Sequence, residues 1–549
     1  MRRLLTSLVV LVGLLGLLGG AAVAAYVGSD DTVVSTPATL GDEGQPVVTA
    51  PGLLGWDGLR ITLRAEAPDG VFIGTAHPVD IEDFVGDTQH VVLESVTPGS
   101  TTTREVDGDG EQVHPEQAGF WELRQRGRDR QELALDRHDA GLQWVIAPLG
   151  GVGPTTISFA VTVAGVWRAA LAVAAVGALL LVLGVELLLR LGRRRVAGRR
   201  HAPSPPGAAS APKRRAEGRR KAPRGRRQAG TRRTAARAAT AAVVVVALAG
   251  CEALPVRHQS ELTASTKIAL TLEQATDLYA SWDRRHNAVL RALARHPRRT
   301  PDWEQVERGA ALAADAFGAD YLRATSRRPP QQVTHTPVAV YAPRLDSYPM
   351  WAVVAARPDG TDGRQVVVQQ FRRYSVTAPW LLEASTLVPA RSLPDPGKAA
   401  RPAEREVRAA VLSARETWAA WLADGRGSGL DVDAASTEWR GHLTELSESP
   451  VLSSVEAAAE AFGPDPEVVA TADGHLALVS VRVETSLHGK KAFRVGWSPQ
   501  WRALRVVDGS TLRYAHLATG LLHLPEQGRP RLLGATFREV SAQRPPAGR

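Results

Sequence analysis

Cysteine is almost missing from this chain of 549 residues, in which Cys251 is the only one. A single cysteine excludes an intramolecular disulfide, a catalytic thiol elsewhere in the chain and any metal site built from several thiolates. The sequence also contains no Walker phosphate-binding loop, no Gly-x-Ser-x-Gly nucleophile elbow and no His-Glu-x-x-His zinc motif. The enzyme classes that those motifs define are therefore excluded.

Candidate metal ligands and catalytic groups are equally sparse. His77, His90, His114 and His138 stand at long spacings that match no metal-ligand pattern. Acids, histidines and nucleophiles do not cluster along the sequence in a way that suggests catalysis. We therefore assign no catalytic, metal-binding or cofactor-binding residue from the sequence, which favours a protein without enzymatic activity.

Acidic residues are nearly absent from one segment, residues 190–237, which holds 18 Lys or Arg and the single acid Glu217. The whole chain has a net charge of +9, so the remainder carries −8. This Pro/Ala/Arg-rich segment has no apolar periodicity, which predicts a disordered cytoplasmic linker. It lacks interleaved aromatic residues for stacking on bases, so we expect it to attract anionic lipid and not nucleic acid.

Three apolar segments stand out against this polar background. Residues 1–27 begin with Arg2 and Arg3 and continue into a long apolar run, which is either a cleaved signal peptide or an N-terminal anchor. Residues 169–189 have the length of a transmembrane helix. Four arginines follow that helix within residues 190–195, so the positive-inside rule predicts that this end is cytoplasmic and that residues 28–165 lie outside.

The third apolar segment, residues 238–256, contains the only cysteine. Leu248, Ala249 and Gly250 precede Cys251 and resemble a lipobox, the signal after which a bacterial lipoprotein is cut and lipidated on its cysteine. The alternative is a short third transmembrane helix with an incidental cysteine. Either interpretation places residues 257–549 outside, and the chain reads as a fusion of two exported proteins.

Short alternating strands between Asp, Gly and Pro turns predict a small extracytoplasmic β-sandwich over residues 40–162, with a helical turn at residues 80–86. The stretches GVFIGTAHPVDIEDFVGD (70–87), FWELR (120–124) and LQWVIAPLGG (142–151) resemble an uncharacterised family of actinobacterial-type membrane-anchored β-domain proteins. The resemblance implies architecture only, because that family supplies no known catalytic residues.

The C-terminal half predicts two α+β modules, residues 264–395 and 404–541. In each, amphipathic helices precede antiparallel strands, which by analogy suits a nuclear-transport-factor-like or cystatin-like fold with a curled sheet. The helical segments that we predict are residues 271–293, 302–325, 404–425, 436–448 and 453–462. The predicted strands of the second module are residues 468–471, 475–485, 492–496, 504–507 and 512–517.

The stretches YPMWAVVAAR (348–357), PWLLEASTLVP (379–389) and RPRLLGATFREVSAQRPP (529–546) resemble a family of actinobacterial predicted lipoproteins of unknown function. That resemblance brings no active site. Four tryptophans in this half, Trp351, Trp380, Trp497 and Trp501, are candidates for lining a concave pocket, although tryptophans more often fill a core.

Together these features predict a multi-domain, membrane-anchored extracytoplasmic protein of the cell envelope that binds or scaffolds a partner, such as another envelope protein. Two alternatives stay open. One is an envelope enzyme with an unrecognised site in the C-terminal half, and the other is signal relay through the basic linker.

Overall fold

The computed structural model describes residues 2–542 except 52, 54–59, 97–99, 136–140, 200–264, 298, 326–331, 428, 492–506 and 509. The chain forms two compact units. The first comprises Met1–Ala76 with Asp87–Leu262, and the second comprises His77–Gly86 with Thr263–Arg549. The fold is a mixture of helices and several antiparallel sheets, as predicted for a multi-domain α and β protein.

Two long apolar helices belong to the first unit. Helix α1 spans Arg2–Val27 and helix α3 spans Val166–Arg199. Within them Leu4–Val27 and Val166–Arg190 are long and apolar enough to cross a membrane. Both predicted apolar helices are therefore present, and the second extends beyond the predicted residues 169–189 at each end. The prediction that a disordered linker begins at residue 190 is wrong for residues 190–199, because the basic residues there continue helix α3.

Glycines let α1 and α3 pack closely against each other. A Cβ atom on Gly20 would lie 2.6 Å from the backbone nitrogen of Ala174, and one on Gly16 would lie 3.3 Å from the Cα atom of Gly177. A larger side chain at Gly20 would collide with backbone, which cannot move aside as a flexible side chain can. Small residues at a helix contact are typical of helix pairs in membranes.

Two β-sheets make up the rest of the first unit. The five-stranded sheet has the order β1-β11-β4-β9, with β2 also paired to β11, and the six-stranded sheet has the order β7-β6-β3-β10-β5-β8. The strands are β1 (Thr32–Val34), β2 (Ala38–Leu40), β3 (Val47–Thr49), β4 (Arg60–Glu66), β5 (Val71–Ala76), β6 (His90–Val96), β7 (Thr101–Val106), β8 (Leu123–Gly127), β9 (Gln131–Leu135), β10 (Gln143–Pro148) and β11 (Thr155–Thr162).

One core joins those two sheets. Leu63 and Phe159 of the five-stranded sheet and Ile73 and Trp144 of the six-stranded sheet belong to the same buried cluster. A shared core between two sheets is the layer arrangement of a sandwich, which agrees with the alternating pattern in the sequence. The helical turn predicted over residues 80–86 is confirmed as helix α2, Pro78–Val85, which belongs to the second unit.

The second unit begins with two helices and a four-stranded antiparallel sheet. Helix α4 (Leu272–Arg295) starts with a capping box of Thr271 and Gln274, and helix α5 spans Gly309–Thr325. Strands β13 (His335–Tyr341), β15 (Met350–Pro358), β16 (Gln365–Arg373) and β17 (Leu381–Pro389) pair in that order. A small additional pair joins β12 (Lys267–Ile268) to β14 (Arg344–Leu345).

Two more helices and a six-stranded sheet complete the second unit. Helices α6 (Arg405–Asp424) and α7 (Ala434–Ser447) precede a sheet with the order β18-β20-β22-β21, to which β19 and β23 are added. Its strands are β18 (Leu452–Ala461), β19 (Val469–Ala470), β20 (Gly474–Gly489), β21 (Val507–Asp508), β22 (Thr511–Pro525) and β23 (Arg531–Ala542). The four-stranded sheet and this one share a buried cluster that includes Val353, Val368, Leu478 and Leu521.

The helix predicted over residues 453–462 is wrong, because this segment is strand β18. Its sequence, SSVEAAAEAF, has good helix formers, yet it pairs along its length with β20. Val455, Ala457 and Ala459 then all pack against the core of the second module, and this contact overrides the helical propensity. The predicted strand 492–496 and most of 504–507 lie outside the described residues, and strand β23 was not predicted.

Candidate functional site

The second unit contains a cavity of about 340 Å³ between α4, α5, β17 and the sheet that contains β22 and β23. We call it the Glu307 pocket. Its walls are Trp282, His286, Glu307, Ala310, Ala311, Ala314, Asp315, Val333, His335, Pro358, Val367, Gln369, Leu382, Ser385, Thr386, Leu387, Leu517, Thr519, Thr536 and Arg538. Mostly apolar walls with a few convergent polar groups are typical of a ligand site.

Glu307 is at the buried end of this pocket because the chain around it joins the edge of the sheet. Arg308 donates its backbone N–H to the Leu382 carbonyl at 2.8 Å, and Leu382 donates to the Val306 carbonyl at 3.0 Å. Glu307 and Leu382 thereby form a parallel bridge to β17. The segment predicted as one helix, residues 302–325, is consequently broken into a 3₁₀ turn at Trp303–Gln305, this short extended stretch, and α5.

A glycine permits the abrupt change from the extended stretch to helix α5. Gly309 has φ of 56°, a left-handed conformation that a residue with a Cβ adopts only with strain. The sequence prediction missed this break because Val306 and the alanines of α5 keep an apolar helical spacing across it.

His286 faces Glu307 from helix α4. Its ring stacks on Trp282, one turn earlier in the same helix, with ring centres 4.7 Å apart. The Trp282 indole N–H donates to the Val306 carbonyl at 3.1 Å, which fixes this helix beside the extended stretch. The Nε2 atom of His286 lies 3.7 Å from Oε1 of Glu307 and 3.8 Å from Oδ2 of Asp315.

Asp315 completes the group from helix α5, and Arg538 approaches it from β23. Arg538 donates from its guanidinium to Oδ1 of Asp315 at 2.8 Å. The exposed fraction of the side chain rises from 0% at Glu307 through 18% at His286 to 55% at Arg538. The pocket therefore opens to solvent on the Arg538 side and is closed behind Glu307.

The two carboxyl groups have opposite pKa shifts. Burial raises the pKa of Glu307 well above its ordinary value, and the negative charge of Asp315 adds to the rise. Burial also acts to raise the pKa of Asp315, but the neighbouring His286 ring and the charge of Arg538 outweigh it and lower that pKa. Near neutral pH this geometry favours a protonated Glu307 beside an ionised Asp315.

Within the described part of the chain, neither side-chain oxygen of Glu307 accepts a hydrogen bond, and the carboxyl group with which a protonated Glu307 would share its proton is that of Asp315. A buried carboxyl group without a partner is costly and rare in folded proteins, so this one requires an explanation. His286, Glu307 and Asp315 offer three ligand atoms within 4.8 Å of one another, and an ion in that position would satisfy the orphaned oxygens.

A second buried polar pair supports the wall of the pocket. Oδ2 of Asp283 accepts the backbone N–H of His335 at 2.9 Å, and Oδ1 of Asp283 lies 2.7 Å from Nδ1 of His335. The His335 ring also stacks on Tyr279 with centres 5.3 Å apart. These contacts hold β13 against α4 and fix the orientation of the His335 ring at the pocket.

The residues singled out from the sequence lie elsewhere. Cys251 and its lipobox, Leu248, Ala249 and Gly250, are outside the described residues, as are Trp497 and Trp501. Trp351 is buried in the core between the two sheets of the second unit, and Trp380 packs against the core under α4. Neither Trp351 nor Trp380 lines the Glu307 pocket.

The polar group of this pocket escaped the sequence analysis because its members come from separate elements, namely α4, the extended stretch before Gly309, α5 and β23. His286 stands on α4, whose apolar spacing predicted only an amphipathic helix. Glu307 and Asp315 were placed on one helix, and the break at Gly309 that brings them together was not recognised. The available signal was the stretch VERGAALAAD (306–315), in which Glu307 and Arg308 interrupt an apolar helical spacing.

The chain matches no known family model. It also has no match among curated proteins. The geometry of the Glu307 pocket and the two apolar helices are therefore the observations from which a function is argued.

Proposed function

We propose that this protein is a membrane-anchored binding protein of the cell envelope, with both folded regions extracytoplasmic and a small ligand held in the Glu307 pocket. The single observation that carries the binding role is the pocket itself. It is large enough for a small molecule, mostly apolar, and provided with polar groups at its buried end.

The two apolar helices support the membrane anchor. Close glycine contacts between α1 and α3 favour an N-terminal helix that is retained as an anchor, because a cleaved signal peptide has no reason to pack on a second helix. The helices run antiparallel, since Gly13 contacts Leu181 and Gly20 contacts Ala174. Their basic ends, at Arg2 and at Arg190 and beyond, then share one side of the membrane, which the positive-inside rule makes the cytoplasm.

The finer architecture follows the same proposal. Each helix-and-sheet module of the second unit is of the nuclear-transport-factor-like or cystatin-like kind, and the segment at residues 238–256 is a lipoprotein signal with Cys251 as the lipidated residue. The basic linker, residues 190–237, lies against anionic lipid on the inner face. Another protein of the cell envelope is a further proposed partner of the extracytoplasmic regions. The alternative function is relay of a signal through the basic linker.

The chemistry of the pocket limits its ligand. An ionised Asp315 and a protonated Glu307 at the closed end suit a ligand that carries a positive charge or several hydrogen-bond donors. The α5 wall of the pocket is lined by small apolar side chains, those of Ala310, Ala311 and Ala314. They leave space in which the apolar part of a ligand would contact apolar surface.

A pocket-filling variant tests this binding role. The full-length protein is purified from its native membrane in detergent, and the small molecules released on denaturation are compared between variants. We expect one species in near-stoichiometric amount from the native chain, reduced about tenfold or more by Ala314→Phe because the phenyl ring occupies the space of the ligand. Ala316→Phe, on the exposed side of the same helix, is the matched control. Equal release from the Ala314→Phe variant would show that the pocket holds no ligand.

A specific observation favours an envelope enzyme as the second candidate. Glu307 and Asp315 are neighbouring carboxyl groups whose environments push their pKa values apart, the arrangement by which enzymes obtain a general acid and a general base from two carboxyl groups. Turnover of the released molecule by the native chain, lost in Glu307→Gln, would favour this candidate over simple binding.

A further inference from the structure

We infer that His286, Glu307 and Asp315 form a three-ligand site for a divalent transition metal, with zinc the best fit. This inference rests on the proposed binding role of the Glu307 pocket and names a ligand for its closed end. The first support is composition, because one imidazole and two carboxylates are among the donor types with which proteins hold zinc.

The distances are compatible with a metal held by all three residues. Bond lengths of about 2.0–2.1 Å and tetrahedral angles place ligand atoms about 3.3 Å apart. The His286 imidazole nitrogen lies 3.7 Å from Glu307 and 3.8 Å from Asp315, and the three ligand atoms lie within 4.8 Å of one another. Side-chain shifts of about half an ångström bring the imidazole nitrogen to the tetrahedral spacing, and an imidazole ligand favours zinc over magnesium, which prefers oxygen ligands.

The orphaned Glu307 carboxyl supplies the second, independent support. Its side chain is fully buried, neither oxygen accepts a hydrogen bond from the described residues, and it is aimed at His286 and Asp315. A bound cation would satisfy one or both oxygens and convert the cost of burying them into a favourable interaction.

Arg538 acts as a positioning residue for the site. Its hydrogen bond uses Oδ1 of Asp315 and leaves Oδ2, the atom nearer to His286, directed at the metal position. Partners that orient a ligating group in this way are typical of metal sites. Three protein ligands leave the fourth coordination position of a tetrahedral metal free. Because the pocket is open on the Arg538 side, water or the polar end of a small molecule can occupy that position.

Titration of the full-length protein in detergent with zinc, after treatment with a chelator, tests the site. A competing chromophoric chelator reports affinity. We expect one zinc equivalent that Glu307→Gln and His286→Gln weaken about 100-fold. His296→Gln, an exposed histidine at the C-terminal end of the same helix, is the control and leaves the affinity unchanged.

Cobalt(II) provides a readout on the native chain that does not depend on any variant's folding. We expect intense visible absorption bands, which four-coordinate cobalt shows and six-coordinate cobalt does not, and their removal by one equivalent of zinc. The inference is overturned if the native chain binds neither metal at micromolar concentration. It is also overturned if Glu307→Gln and His286→Gln bind zinc as tightly as the native chain does. If no metal binds and Ala314→Phe still abolishes release of a small molecule, the binding role stands without the metal. If zinc binds and no small molecule is found, the metal site stands without an organic ligand.

Discussion

The imidazole Nε2 of His286 lies 3.7 Å from Oε1 of Glu307, although the two residues belong to separate elements with a 3₁₀ turn between them. The contact exists because residues 306–308 have an extended backbone that is hydrogen-bonded to Leu382 of the edge strand β17. The Glu307 carboxyl group is thereby held at the closed end of a cavity. The candidate site depends on this local departure from helical structure.

Replacement of Glu307 by Gln tests the protonation of the buried carboxyl group. The pKa of Glu307 is higher in the folded state than in the unfolded state, where it is about 4.3. The protonated carboxyl group therefore makes its full contribution to stability below a pH of about 4.3, and that contribution is lost as pH rises towards the folded-state pKa. Gln has no proton to lose, so Glu307→Gln becomes more stable relative to the native chain as pH rises, by up to about 1.4 kcal/mol per pH unit.

Hydrogen exchange at the amides of β17, measured from pH 4 to pH 8 with a metal chelator present, reports this free energy for the full-length protein. Glu304→Gln removes an exposed carboxylate just before the pocket and is the control. A stability difference between Glu307→Gln and the native chain that does not change with pH contradicts the assignment of a protonated Glu307.

Replacement of Asp283 by Ala tests the buried pair that supports the pocket wall. The His335 backbone N–H and ring would both lose their acceptor in a buried position. We expect a loss of about 1–3 kcal/mol in the free energy of unfolding, measured by the same exchange method at β13. Asp320→Ala, which removes an exposed carboxylate of α5, is expected to change it by less than about 0.5 kcal/mol. An equally small effect at Asp283 would show that water replaces the lost acceptor.

Substitution of Gly20 tests whether helix α1 is retained and packed on α3. A leucine at Gly20 would collide with the backbone of Ala174, so Gly20→Leu should lower the temperature at which the protein unfolds in detergent. Gly19→Leu, at a position where a Cβ atom meets nothing within 4 Å among the described residues, is the matched control and should leave it unchanged. An N-terminal segment that is absent from the mature protein, seen by mass spectrometry, contradicts the retained anchor.

Substitution of Cys251 decides whether the chain remains one protein. In a processed lipoprotein the chain is cut on the N-terminal side of the lipidated cysteine. The C-terminal half should therefore carry an acyl label and migrate separately from the N-terminal half. Cys251→Ala should abolish both the label and the cut. A single uncut band without acyl label, unchanged by the substitution, leaves the third transmembrane helix as the remaining interpretation.

Much of the fold was predictable because its signals are local. The capping box at Thr271, the apolar spacing of α4 and the turn 358–364 between β15 and β16 are each contained within a few residues. Hydrophobic length alone indicated α1 and α3. These patterns depend only on residues that are close together in sequence, so they can be recognised without knowledge of the tertiary contacts.

The parts that were not predictable depend on distant contacts. Strand β18 has a helical composition and becomes a strand only because β20 is available to pair with it. Glu307 and Leu382 are brought together by a single bridge between separate parts of the chain, and Arg538 reaches Asp315 from the last strand. Tertiary contacts of this kind leave almost no trace in composition or periodicity.

Side-specific labelling of intact cells tests the outward placement of both folded regions most directly. Cysteines replace Ser100, Ser210 and Ser413 one at a time in a Cys251→Ser background, and a membrane-impermeant thiol reagent is applied before and after lysis. Ser100 and Ser413 are both exposed in the structure, whereas position 210 belongs to the basic linker. We predict labelling of Ser100→Cys and Ser413→Cys in intact cells, and of Ser210→Cys only after lysis. Labelling of Ser210→Cys alone in intact cells would contradict the proposed topology.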